Sequence, residues 1–157
     1  MTATTATPKA LAADEGLRLQ SGPGRDLVFK LTGEDTRGAL DYFICEVAPH
    51  GGPPLHVHHH QDETIHVLAG RFKVRTGEQE YILDSGGFAY LPAGLPHAFL
   101  NLTDQPAELI IVFAPGGGHK FFQELGPATR TATNRDDVAA IFERHGMTLL
   151  GPPLSAD

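Results

Sequence analysis

The stretch from His56 to Gly70, HVHHHQDETIHVLAG, holds five of the chain's nine histidines together with Asp62 and Glu63. Imidazoles and carboxylates at short spacing can ligate a transition metal, and the two-residue period of a strand decides which of them share one ion. In an extended backbone His56, His58 and His60 lie on one face, with Val57 and His59 on the other. His56 and His58 then reach a common point. After a tight turn, Glu63, Ile65 and Val67 form the inward set of the next strand, and Gly70 allows a sharp reversal at its end. A second stretch, GGFAYLPAGLPHAFLN, contains a turn, PAGLP, that delivers His97 to the start of a strand with His97, Phe99 and Asn101 facing inward. The expected ligands are therefore His56, His58, Glu63 and His97. They would hold one divalent transition metal per chain, drawn from Fe, Ni, Mn, Co, Cu or Zn.

Other polar residues read differently. His59 faces away from the expected ion, and His59 and His60 are expected to be solvated or to support the ligands from behind. His66 has the opposite parity to Glu63 and reads as a packed or surface histidine, while His50, His119 and His145 carry no spacing signal. Arg71, Lys73 and Arg75 share one strand face, which is expected to be solvated. Cys45 reads as a small buried apolar residue. By the same parity Ile65, Val67, Phe72 and Phe99 are expected to line an apolar pocket, with Phe43, Tyr90 and Phe113 as neighbours.

These residues need a framework of strands. DLVFKLTG and LDYFICEV are β-branched and aromatic runs, and RFKVRTGEQEYIL alternates on either side of a turn at Gly77 and Glu78, as a hairpin does. FAYLPAG, HAFLNL and ELIIVFAP follow at short intervals, separated by Pro, Gly, Asn and Asp. Seven or so strands at this spacing predict a sandwich or barrel. Two helices are expected next: HKFFQELG, stopping at Gly126, and TNRDDVAAIFERHG, with Val138, Ile141, Phe142 and His145 on one face. MTLLGPPL would return as a short strand at a sheet edge.

The length of 157 residues suits one domain, expected over 14–157 behind a flexible Thr- and Ala-rich tail at 1–13. A net charge of −7 with no basic cluster argues against nucleic acid as a partner. No run approaches the ~18 apolar residues of a membrane span. The opening MTATTATPKALAADEG lacks the pattern of a secretory signal, so a cytoplasmic location is expected.

The two histidine stretches together resemble the paired motifs of the cupin family. His56, His58, Glu63 and Gly70 match the first, and Gly86, Pro92, Gly94, His97 and Asn101 match the second. One departure lies upstream, where His50 occupies the position at which the first motif has glycine. The wider likeness, over roughly residues 15 to 155, is to bacterial quercetin 2,3-dioxygenase-like cupins. The resemblance implies an all-β jelly-roll barrel with short C-terminal helices, a metal-dependent dioxygenase and a homodimer. It also implies that Glu63 serves as both ligand and base while oxygen cleaves a flavonol or related enolic aromatic. The same ligand set serves cupin lyases, isomerases and cyclases, and a cupin that binds a small molecule without turning it over. The sheet edges give a second reason to expect a dimer, with the strand at DLVFKL covering a partner's edge.

Overall fold

A computed structural model describes residues 5–22, 24–131 and 134–157. Eleven strands form two antiparallel sheets that face each other as a jelly-roll barrel. In chain order they are β1 Leu17–Gln20, β2 Arg25–Leu31, β3 Asp41–Val47, β4 Pro54–His58, β5 Asp62–Ala69, β6 Arg71–Thr76, β7 Gln79–Asp84, β8 Phe88–Leu91, β9 His97–Asn101, β10 Ala107–Ala114 and β11 Met147–Pro153. One sheet has the order β1-β2-β3-β10-β5-β8, the other β11-β4-β9-β6-β7. Helices α1 Gly118–Thr131 and α2 Arg135–Arg144 lie between β10 and β11. The alternating runs formed strands because one residue in two could be buried between the sheets: in β3, Asp41, Phe43, Cys45 and Val47 are all buried.

The core comprises Leu27, Phe29, Phe43, Ile65, Val67, Phe72, Val74 and Leu109, among others. A smaller cluster, Phe121, Leu125, Ile141, Phe142 and Met147, ties both helices to β11. The α2 helix is capped by Asn134, whose side chain accepts from Asp136 N at 2.8 Å, and it carries acids in its first turn. Buried Asp41 joins the other helix to the sheet. Its carboxylate accepts from Gly117 N and Gly118 N at the start of α1, and from Gly33 N.

Three expectations are corrected here. The first helix does not stop at Gly126 but continues to Thr131 through Pro127. A β-carbon at Gly126 would collide with the Gln20 carbonyl, so this glycine permits close packing on β1 rather than ending the helix. Lys73 does not lie on a solvated face. It is 7% exposed and donates to the Ser155 and Asp157 carbonyls at 3.0 and 3.1 Å, because the C-terminal segment covers that part of β6. The DLVFKL strand, β2, is no edge: it is paired by β1 on one side and β3 on the other. The sheets end instead at β1, β8, β7 and β11.

Residues 5–13 are exposed and contain neither helix nor strand; 1–4 lie outside the described residues. Among the described residues no helix is long and apolar enough to cross a membrane.

Candidate metal centre

His56 and His58 stand on β4 between β11 and β9, and His56 is in register with His97 on β9. Glu63 enters from the opposite sheet, on the inward face of β5 with Ile65 and Val67. The two histidine stretches also hold each other in place. Gly94 N donates to His58 O at 2.8 Å, and Ala93 N donates to Asp62 Oδ1 at 2.9 Å, so the PAGLP turn is pinned against the first stretch. His50, standing where the motif has glycine, has φ 57°, a left-handed conformation that explains a glycine preference there.

All four expected ligand residues are buried, and one ligand atom from each lies within 4.8 Å of the others. Glu63 Oε2 is 2.8 Å from His97 Nε2 and 3.5 Å from His58 Nε2. His56 Nδ1 donates to Pro54 O at 2.7 Å, and His58 Nδ1 donates to Gln61 Oε1 at 2.9 Å. Those bonds leave each Nε2 with a lone pair for a metal. Gln61 is itself fixed by donation to Pro115 O at 2.8 Å. His97 is 2% exposed, yet neither of its ring nitrogens makes an aligned hydrogen bond, despite the short approach to Glu63. A buried polar atom without a partner is unfavourable unless something else satisfies it. The donor set fits a divalent transition metal: three imidazoles and one carboxylate.

Electrostatics agree with that fit. Burial, reinforced by the neighbouring charges of His97 and His58, holds the pKa of His56 well below the ordinary imidazole value. Burial also lowers that of His58, against the opposing pull of Glu63. For Glu63, burial pushes upward but His97 and His58 more than offset it, leaving the carboxyl below its usual range. Neutral imidazoles beside an ionised carboxylate are the state that ligates.

The cluster borders a cavity of about 50 Å³. Phe43, Phe99 and Phe113 contribute to its wall from the strands, and Phe121, Phe122 and Phe142 close it from the helices. Of the four expected lining residues only Phe99 touches this space. Ile65, Val67 and Phe72 are packed deeper in the core, because strand parity specifies the inward face but not the depth along the barrel. Tyr90 is 54% exposed and points outward. The wall is also less apolar than expected, since Arg25 lines it. Sequence reasoning missed Arg25 by starting the β2 run at Asp26; the pattern R-x-L-x-F would have put Arg25 on the inward face with Leu27 and Phe29. Gln61 had no signal in the spacing.

The remaining histidines lie elsewhere. His59 and His60 are exposed, with His59 Nε2 2.8 Å from Thr148 Oγ1. His66 is exposed on β5. His50 pairs with Asp104 and His145 with Glu124, while His119 is buried near Asp41. Cys45 is buried, and burial pushes its thiol up to about 12.

A jelly-roll barrel with three histidines and a glutamate gathered at its inner wall defines a class of protein, and the comparisons identify the family. The cupin domain family matches residues 43–113, and the chain belongs to it. It is 31% identical over 124 residues to quercetin 2,3-dioxygenase of Bacillus subtilis (strain 168), covering 77% of this chain and 35% of that protein. The chain thus spans about a third of that relative's length. The crystal structure of TT1209 from Thermus thermophilus is 30% identical with a TM-score of 0.54, covering 61% of this chain and 89% of that one. An RmlC-like cupin from Shewanella frigidimarina NCIMB 400 shares the fold, with a TM-score of 0.62 at 15% identity over 73% of this chain and 96% of that one.

Proposed function

We propose that this cupin is a metal-dependent oxygenase that cleaves an enolic substrate, in the manner suggested by its likeness to quercetin 2,3-dioxygenase. The observation that carries the reading is the buried carboxylate of Glu63, 2.8 Å from His97 Nε2 beside a cavity lined by phenylalanines. A divalent metal held by His56, His58, Glu63 and His97 would supply Lewis acidity and, if redox-active, access to oxygen. Glu63 is the base. Its pKa is depressed, so the carboxylate is ionised at neutral pH and can accept a proton from an enol hydroxyl brought within about 3 Å. His56 and His58, neutral and fixed through Pro54 and Gln61, hold the site's geometry while that proton moves. The aromatic wall packs against the substrate's carbon skeleton and keeps water away from the reacting atoms.

The volume of about 50 Å³ favours an enol smaller than a three-ring flavonol, which would require α1 and α2 to give way. The test is oxygen uptake by metal-replete protein with quercetin and with smaller enols and catechols. Uptake that falls on the order of 10²-fold in Glu63→Gln, at matched metal content, is expected. No uptake with any of them would end the oxygenase reading. A non-redox lyase, isomerase or cyclase draws on the same ligands, and the small cavity also suits it; product formation under argon separates the two. A homodimer remains part of the proposal, through the edges at β1, β8, β7 or β11, and a monomeric mass by light scattering at micromolar concentration would remove it.

A further inference from the structure

Arg25 is the one arginine or lysine on the cavity wall. On β2 it shares the inward face with Leu27 and Phe29, both buried in the core, and it pairs in register with Val47. Its guanidinium donates from Nη2 to Ser21 O at 2.9 Å, the one hydrogen bond it makes among the described residues. No carboxylate there lies within ion-pair distance of it. The adjacent Asp26 is exposed and accepts from Gln20, and Glu46 is exposed on the outer face of β3. Burial lowers the pKa of Arg25, and its charge reaches far enough to disfavour protonation of His56. The guanidinium and His56, His58 and Glu63 line one space.

A half-buried cation with no counter-ion, set in a wall of phenylalanines, gains from a carboxylate that reaches it. Among the described residues four of the five N–H donors have no protein acceptor, and their planar fork matches the two oxygens of a carboxylate. We infer that Arg25 is a substrate-recognition residue and that the molecule this cavity takes is an organic carboxylate. Its oxygens accept from the guanidinium, while its carbon skeleton lies among Phe43, Phe99 and Phe121 and extends toward His56 and Glu63. Glu63 already places one negative charge on the same wall, so a monocarboxylate suits the site better than a doubly charged phosphate ester. The inference rests on the proposed function for what then happens to the molecule, but the recognition step does not depend on it.

The test compares butyrate with butyramide, which share a skeleton and differ in charge. Each is titrated by calorimetry into metal-stripped and zinc-loaded protein. Butyrate is expected to bind on the order of tenfold more tightly than butyramide in both forms, as a charged hydrogen-bonded pair provides. Arg25→Met should erase the preference and Arg25→Lys should keep part of it. Equal affinities in the wild-type protein would overturn the inference without recourse to any variant. So would a preference that survives Arg25→Met, which would assign the carboxylate to the metal if it survives only in the zinc-loaded protein and to another group if it survives in the stripped one. Because no step consumes oxygen, failure here is distinguishable from failure of the oxygenase reading.

Discussion

His97 and Asn101 stand four residues apart on β9, both almost wholly buried, and their surroundings are opposite. The Asn101 amide donates to the carbonyls of Val47, Ala48 and Gln105, while its oxygen accepts from Thr103 N and Oγ1. His97 makes no aligned hydrogen bond at all. One strand thus carries a polar group whose valences are filled by the fold and another whose valences are left open. The first knits β9 to the end of β3; the second faces Glu63, His56 and His58. Polar burial serves stability at one end of the strand and leaves a candidate metal-ligating group open at the other.

Substitution should separate the two roles. The largest effect expected is on metal content: His97→Ala should drop it from near one ion per chain to a small fraction, read by elemental analysis, with little loss of apo-protein stability. Asn101→Ala should do the reverse. It should cost about 3 kcal/mol in urea unfolding by stranding several buried groups, with metal content per folded chain unchanged. If both variants lose metal and stability alike, the contrast fails.

Smaller changes sharpen it. Gln61→Ala removes the acceptor that orients His58, and metal affinity should fall roughly tenfold in competition with a chelator. Acid should act on the histidine end alone. The folded-state pKa values of His56 and His58 are depressed below the ordinary 6.5. The metal-stripped fold therefore takes up fewer protons than the unfolded chain as pH falls. Stability should be fully present above about pH 6.5 and lost progressively below it, with Glu63 adding to the loss below about 4.5. Melting temperatures between pH 8 and 5 should show this, and the combined His56→Ala, His58→Ala variant should flatten the slope. The smallest effect belongs to His59→Ala, for which metal content should match the wild type.

The cluster of His56, His58, Glu63 and His97 was legible because period-2 alternation is a local property: His56 and His58 differ by two residues, and the PAGLP turn fixes where β9 begins. Depth was not legible. Glu63, Ile65 and Val67 share one face of β5, yet only Glu63 borders the cavity, since position along the barrel depends on how strands from the other sheet are placed. Lys73 followed the same rule in reverse. Its outward parity was read correctly, but the cover came from residues 155–157, more than eighty positions away. Arg25 was overlooked because a charged residue at the start of an apolar run looks like its boundary. Gly126 misled for a related reason: a glycine signals a helix stop unless a neighbouring backbone needs the space, and β1 supplies that need.

The β4 strand meets β9 in register only at His56 and His97, whereas β11 runs alongside it with Met147 opposite His58 and Leu149 opposite His56. Two of the four candidate ligands are therefore braced by a segment made about ninety residues after them. On the ribosome, where synthesis proceeds from the N-terminus, β4 is finished long before its brace exists. A nascent chain exposes HVHHH as an unsupported histidine tract, and the ordered site can assemble only once residues 147–153 have left the exit tunnel. A metal held by these residues would therefore be captured only after β11 has paired with β4.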